Sequence, residues 1–372
     1  MFTINNDLLP IFKSHGAQAL GVFSFENQES SILTKDLPAF QTWLSEKANA
    51  GMEFLEKNLE ARKNPSHILP NVKTAIIFLF PYALGHKVRG KRSQIIAKNS
   101  NEKIISRYAH GKDYHKVLKK KLTTIAQNLQ SHLGESFSFR PVVDSIPFLE
   151  RSHAREAELG FIRKNTMLIR PGMGSFFFIA TLLLDLEVEK FARKSNKSNF
   201  IAELNCGTCT KCLDACPTNA LVKPYFLDAN RCLSYLSIEH RDIVPTQYLS
   251  HFANTIYGCD ICQDVCPYNL VTSDFEILKE FSEKKAPFLF VTIKEIALMS
   301  PLQYEQWFAG TAATRAKYQG LVRNALYHLY ATRHIKLKNC HADSELKDIL
   351  GQLKNSKYSL IEKTVRQLED LL

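Results

Sequence analysis

The chain has 372 residues, 45% hydrophobic and 23% charged, with 48 Lys and Arg against 37 Asp and Glu, a formal net charge of +11. Ordinary globular composition at this length allows two or three domains with sizeable cores and argues against a small disulfide-stapled secreted scaffold. The basic excess points to a polyanionic partner, nucleic acid first and an anionic membrane surface second.

Residues 1–200 alternate strand and helix signals and read as one α/β domain. Residues 74–80 and 137–143 are apolar runs of strand length, while Leu118, Leu122, Ile125, Ala126, Leu129 and Leu133 recur at helical spacing. The second strand ends in Val143-Asp144, and a carboxylate at a strand end sits where α/β domains build sites. A turn-forming Asp is the plain alternative. Residues 151–159 read as a short helix with Gly160 as its C-cap, and Gly172 and Gly174 turn the chain into the apolar run 175–184. That run is too short to span a bilayer, so no membrane association is expected. No G-x-G-x-x-G or Walker loop is present, which leaves nucleotide binding without motif support.

Residues 201–275 carry the strongest signal. Eight of the nine cysteines lie from Cys206 to Cys266, seven of them in the runs Cys206, Cys209, Cys212, Cys216-Pro217 and Cys259, Cys262, Cys266-Pro267. Three cysteines at two-residue intervals wrap one cubane cluster, and the fourth of each run reaches across to the other. The second run lacks its first cysteine, because position 256 is Ile256, and the isolated Cys232 is the natural replacement. The expected ligand sets are Cys206, Cys209, Cys212 and Cys266 for one 4Fe-4S cluster and Cys216, Cys232, Cys259 and Cys262 for the other. Zinc uses paired C-x-x-C units but rarely this triple spacing with a closing Cys-Pro. The opening Met1-Phe2-Thr3-Ile4 has no basic stretch leading into an apolar core, so with reduced thiolates a cytoplasmic location is expected. Too small for a large apolar core, the module depends on its clusters for folding. Cys340, far downstream, reads as a packed or idle thiol.

From 276 to 372 the pattern turns to amphipathic helices. Tyr318, Leu321, Val322, Ala325, Leu326 and Leu329 form one stripe, Leu346, Ile349, Leu350 and Leu353 a second, and Ile361, Val365, Leu368 and Leu372 a third. Paired helices of this kind stack as HEAT-like units. Arg315, Lys317, Arg323, Arg333, Lys336 and Lys338 offer either phosphate contacts or a solvated face.

The residues together resemble a family. Arg107-Tyr108-Ala109-x-Gly111-x-Asp113-Tyr114-His115, Val143-Asp144 with Leu149-Glu150-Arg151, Lys164-Asn165-Thr166-Met167-Leu168-Ile169, the Cys206 to Pro217 run, Arg231-Cys232-x-Ser234-Tyr235-Leu236 and Tyr257-Gly258-Cys259-Asp260-Ile261-Cys262-Gln263 are similar to epoxyqueuosine reductases, from about residue 51 to 324. The resemblance implies a cobalamin-binding N-terminal domain, two clusters that reduce the cobalamin with electrons from an external one-electron donor, and a monomer acting on tRNA that carries epoxyqueuosine. It makes Asp144 the proton donor and Arg62, Asp144, Leu168, Cys259 and Asp260 the cobalamin contacts. Protonating a poor leaving group at neutral pH would require a raised pKa at Asp144, which burial under a corrin beside Ile146 and Phe148 could supply. The Asp-x-His-x-x-Gly sequence that brings a histidine to cobalt is absent, since Lys116 follows Asp113-Tyr114-His115. The family usually has Asp-Thr-Gly-Pro where this chain has Asp144-Ser145-Ile146-Pro147, so a required positive φ at the third position would strain Ile146. It also has Gly-Trp-Ile-Gly-Lys at Gly160 to Lys164. Competing readings are a reductive dehalogenase, which a twin-arginine signal would favour, a non-catalytic electron-transfer module, and a nucleic-acid-binding protein with structural clusters.

Overall fold

A computed structural model of the chain describes residues 2–26, 31–85, 87–88, 101–194, 204–283, 287–333 and 342–372. The run at 74–80 is apolar throughout because its strand is covered on both faces. It pairs at the centre of a four-stranded sheet made of β1 (Ala19–Ser24), β2 (Thr74–Pro81), β3 (Phe139–Val142) and β4 (Phe177–Leu184), in the order β1-β2-β4-β3. One face, with Ile76, Phe78, Phe80, Ala180 and Leu182, packs under α1 (Tyr114–Leu133) through Leu118, Leu122, Ile125 and Leu129. The other, with Ala75, Ile77, Leu79, Val142 and Leu183, meets Ala154 and Ala157 around α2 (Glu150–Glu156).

Every pairing in this sheet is antiparallel. The α/β expectation therefore holds only as a sheet covered by helices, and the crevice at the ends of parallel strands is not what positions Asp144. Asp144 instead leaves the end of β3, an edge strand, through a tight loop. Gly160 is not a helix cap. Glu158 takes the left-handed φ of 58° that reverses the chain, while Gly160 lies so close to β-paired backbone that a Cβ would stand 2.4 Å from the Ile169 carbonyl oxygen. Gly174 turns the chain as expected, with φ 77°, and a Cβ there would strike Asn269 Oδ1.

Beyond the cysteines, α3 (Lys317–Thr332), α4 (Ala342–Leu353) and α5 (Ser359–Glu369) pack together. Leu321, Val322, Ala325, Leu326, Leu346, Ile349, Leu350, Ile361, Val365 and Leu368 are buried in the same continuous core as α1, and Leu372 stays exposed. Among the described residues no helix is long and apolar enough to cross a membrane.

Arg323 corrects the expected basic surface. It is fully buried, donating from Nη1 to the His240 and Asp242 carbonyls at 2.8 and 2.6 Å and from Nη2 to the Leu236 carbonyl at 2.6 Å. Burial lowers its pKa to about 10, and its donors serve the turn that follows the cysteine-bearing helix Leu233–Ile238. Arg315 and Lys317 are exposed, and the Arg333 guanidinium lies 3.6 Å from the Tyr330 ring centroid. Lys336, Lys338 and Cys340 lie outside the described residues. Replacing Arg323 with Met would strand these carbonyls in the core, an expected loss of about 3 kcal/mol. Arg315→Met, at an exposed position, should stay within about 0.5 kcal/mol in the same chemical denaturation series. Equal midpoints for the two variants would contradict the assignment.

Candidate active site

The two cysteine runs fold alike. In each, a tight turn leads into a one-turn helix, Lys211–Asp214 in the first and Ile261–Asp264 in the second, and these helices pack on each other. All eight cysteines are free thiols. Cys206, Cys209, Cys212 and Cys266 line one cavity together with Arg163, Asn165, Lys211 and Pro267. Burial, then the Cys206 and Cys266 thiolates, push the Cys212 thiol up. Burial pushes Cys262 well above its ordinary value, with Cys259, Cys232 and Cys216 adding to it, and burial followed by Cys232, Asp260 and Cys216 raises Cys259 to about 12. The Cys212 thiol thus feels Cys206 and Cys266, and the Cys262 thiol feels Cys259, Cys232 and Cys216. Cys232 is the N-cap of Leu233–Ile238, where the Ser234 and Tyr235 amides favour its thiolate against burial. Among the described residues no three His, Cys, Asp or Glu side chains close around a single ion. The first set surrounds a cavity instead, and sulfur-only donors around a cavity fit an iron-sulfur cluster.

The hairpin at 161–169 joins this module to the sheet domain. At its tip Lys164 Nζ donates to the Gly207 and Cys209 carbonyls at 2.8 and 3.0 Å, and its amide lies 3.4 Å from Cys206 Sγ. Asn165 Nδ2 donates to the Cys262 carbonyl at 3.2 Å, so adjacent residues grip the two runs. A second joint is Asp260, whose carboxylate accepts from Ser106 Oγ at 2.5 Å and the Arg107 amide at 2.9 Å. Burial raises the Asp260 pKa even so.

Next to this joint lies the acid. Asp144 adopts φ 56°, and the Ser145 amide donates to the Val143 carbonyl at 2.6 Å, a three-residue turn with positive φ at its centre, which is rare and strained. The left-handed residue is Asp144, an acceptable type there, and not Ile146. Its side chain is 65% exposed. Tyr114 Oη donates to Asp144 Oδ2 at 2.6 Å, and His115 Nε2 stands 3.4 Å from the same oxygen. Crowding by the surrounding protein opposes the charge, yet His115 and Tyr114 outweigh it and hold the Asp144 carboxyl below the usual carboxylate range. The protein's own groups thus act on Asp144 in the direction opposite to the expected rise. Burial disfavours charged His115, but Asp113 at 2.8 Å from Nδ1 and Asp144 at Nε2 raise it to about 9. Burial and the Asp144 charge raise Glu150 to about 8, and both Glu150 oxygens accept from the Asp144 amide at 3.1 and 3.2 Å.

From Tyr114 the contacts continue to the clusters. Its ring packs edge-on against Tyr108, Tyr108 Oη donates to Tyr257 Oη at 3.1 Å, and Tyr257 directly precedes Gly258-Cys259-Asp260. A chain of contacts through Tyr114, Tyr108 and Tyr257 thus links Asp144 to the segment of Cys259 and Asp260, while Leu168 belongs to the core on the other face of the sheet, which also holds Phe148. Leu168 is itself only 2% exposed. Arg62 contacts other groups: its guanidinium lies over Phe40 and donates to the Lys57 carbonyl at 2.9 Å, and burial lowers its pKa. Sequence reasoning gave no role to Tyr114, His115 or Glu150. The available signal was that all three stand in the quoted motifs, His115 beside the helix N-cap Asp113. Arg315 is a further missed neighbour, its charge felt at Asp144 and its Nε paired with Glu239 at 2.6 Å.

Free cysteines at cluster-ligand spacing, four of them around one cavity, in the same fold as the Asp144–His115 pair mark an iron-sulfur oxidoreductase. The 4Fe-4S double cluster binding domain model matches residues 205–269, and the Epoxyqueuosine reductase QueG, DUF1730 model matches residues 62–145. Epoxyqueuosine reductase of Cyclobacterium marinum is 32% identical over 80% of this chain and 89% of its own length, and that of Escherichia coli 32% identical over 83% and 76%. Among solved structures, an epoxyqueuosine reductase with a tRNA-Tyr epoxyqueuosine-modified stem loop superposes with TM-score 0.76 at 26% identity, covering 96% of this chain and 87% of that one. A Bacillus subtilis epoxyqueuosine reductase with its catalytic aspartate loop swung out of the active site gives TM-score 0.75 at 25% identity, with 96% and 87% covered. The chain belongs to the epoxyqueuosine reductase family.

The charged state of His115 is directly measurable. Its imidazole nitrogens should titrate near 9 by NMR rather than at the ordinary 6.5, and Asp113→Asn should move the midpoint down. A raised folded-state value means that this pair's stabilisation is fully present below about pH 6.5 and is lost as pH rises through about 9. An unshifted midpoint in Asp113→Asn would remove Asp113 from the account.

Proposed function

We propose that this chain reduces the epoxide of epoxyqueuosine in a tRNA anticodon loop to the cyclopentene of queuosine, the last step of its formation, with Asp144 as the immediate proton donor. The observation that carries the reading is the exposed Asp144 carboxylate with Tyr114 Oη at 2.6 Å and His115 Nε2 at 3.4 Å from one oxygen, linked through Tyr108 and Tyr257 to the segment of Cys259 and Asp260. Removing an epoxide oxygen as water takes two electrons and two protons. The leaving alkoxide is a poor one, so a positioned acid is needed. An external one-electron donor supplies the electrons through the two 4Fe-4S clusters, held in crossed fashion by Cys206, Cys209, Cys212 with Cys266 and by Cys216, Cys232, Cys259 with Cys262.

Cobalamin is the second cofactor of this reading, with Arg62, Asp144, Leu168, Cys259 and Asp260 as its contacts. The donor chemistry suits a corrinoid bound without histidine on cobalt, because both ring nitrogens of His115 are engaged by carboxylates. When bound, the group would supply a strongly reducing metal centre for epoxide opening. The protein's own part is the proton. At rest Asp144 is ionised and His115 charged. Covering the exposed Asp144 side chain with an apolar surface and substrate removes its water, which raises a carboxyl pKa and lowers that of an imidazolium. The proton then moves from His115 Nε2 to Asp144 Oδ2, and from there to the departing oxygen. Tyr114 keeps the carboxylate oriented, and a neutral Glu150 avoids a second negative charge beneath it.

The three regions take separate tasks, with 1–200 as the reductase domain, 201–275 as the cluster module and 276–372 as a HEAT-like helical region against tRNA. The net charge of +11 supports phosphate binding. Arg315 of the segment Ala312–Ala316, exposed and close enough for its charge to act on Asp144, supports contact of the helical region with the substrate's phosphates. The protein acts as a cytoplasmic monomer.

Crossed ligation predicts that Cys232→Ala protein, reconstituted anaerobically, loses one cluster's iron and its spectrum; full iron with unchanged spectra would refute Cys232 as a ligand. For the acid, Asp144→Asn keeps the left-handed backbone and should retain both cofactors and tRNA affinity while product formation falls by about 10²- to 10⁴-fold. Near-normal turnover at saturating tRNA would reduce Asp144 to a turn residue.

A further inference from the structure

Arg163 stands at the end of the first hairpin strand, one residue before Lys164. It is only 4% exposed, although its side chain carries a charge. Two rings fix the guanidinium, Tyr268 with its centroid 4.1 Å away and Phe161 at 4.8 Å. The same residue lines the cavity of Cys206, Cys209, Cys212 and Cys266. Its Nη1 is fully removed from water and has no hydrogen-bond partner among the described residues. A buried cation with an unused donor is costly unless an anion meets it. The four cysteines line the same cavity, with Asn165, Lys211 and Pro267, and a cluster with four thiolates is anionic. Tyr268 follows Cys266-Pro267 directly, so the ring that holds the guanidinium is tied to a ligand of the same cluster.

We propose that Arg163 donates a hydrogen bond from Nη1 to a sulfur of the cluster held by Cys206, Cys209, Cys212 and Cys266, and raises that cluster's reduction potential. In the step affected, the external donor loses one electron and the cluster gains one, with no bond made or broken. The reduced cluster carries one more negative charge, so a fixed cation stabilises it more than the oxidised form. Hydrogen bonds to sulfur and net local charge are established determinants of cluster potential. Arg163 is thus a positioning and tuning residue, acting on the electron supply and not on the epoxide.

The test is a potentiometric titration, followed by EPR, of the full iron-loaded chain without cobalamin, for wild type, Arg163→Met and Arg163→Lys. Met keeps an apolar stem between the two rings and removes the charge. With iron content unchanged, one of the two midpoints should fall in Arg163→Met, by at least tenfold in the reduction constant, or about 59 mV for a one-electron couple. The other midpoint should stay, and Arg163→Lys should recover part of the loss. Unchanged midpoints at full iron, or an equal shift of both, would overturn the proposal. If Arg163→Met sheds the cluster, a crystal structure of the iron-loaded wild type decides, since Nη1 turned away from every cluster and cysteine sulfur also overturns it. The inference rests on the cluster assignment, whose failure looks different: wild-type protein would then bind no iron at these four cysteines.

Discussion

Four thiols gathered into one buried pocket cannot all ionise unaided, because each thiolate raises the proton affinity of the next. The thiols of Cys212, Cys232, Cys259 and Cys262 are all raised by burial and by their neighbours. A metal cluster that replaces the protons relieves this repulsion, which couples metal binding to the stability of the module. The surrounding chain is built to hold the quartets at fixed positions. Asn269 donates to Ser175 Oγ and the Gln263 carbonyl and accepts from the Ser175 amide, tying the second run to the residues that lead into β4. Gly174 lacks a side chain so that this contact can form. Lys164 and Asn165 perform the same service from the hairpin, one run each.

The acid site follows a similar logic with opposite charge. Asp144 is held in a left-handed turn and stays exposed, with Tyr114 and His115 both on one carboxylate oxygen and Asp113 on the other nitrogen of the imidazole. Tyr114 serves both ends, stacking on Phe178 of β4 at 4.2 Å while donating to Asp144, so the orientation of the acid is inherited from the sheet.

Much of this was legible in the sequence for a physical reason. Cysteine spacing determines which thiols can converge, since two-residue steps make turns whatever the rest of the chain does, and the missing cysteine at Ile256 pointed to Cys232. The strands at 74–81 and 139–142 and the helix at 114–133 announce themselves through local periodicity. Tertiary structure alone decided the rest. Antiparallel pairing of β2 with β4 depends on contacts about a hundred residues apart, which local pattern does not encode. Arg323 looks like any surface cation until the carbonyls of residues 236, 240 and 242 are brought to it. Gly160 matched a helix cap by position, but the approach of Ile169 requires it. The protonation pattern is the clearest case. A lone Asp144 carries no sign of its charge state, because that state is set by Tyr114, His115 and Glu150, which reach it only when the edge of the sheet, the start of α1 and the start of α2 meet in space.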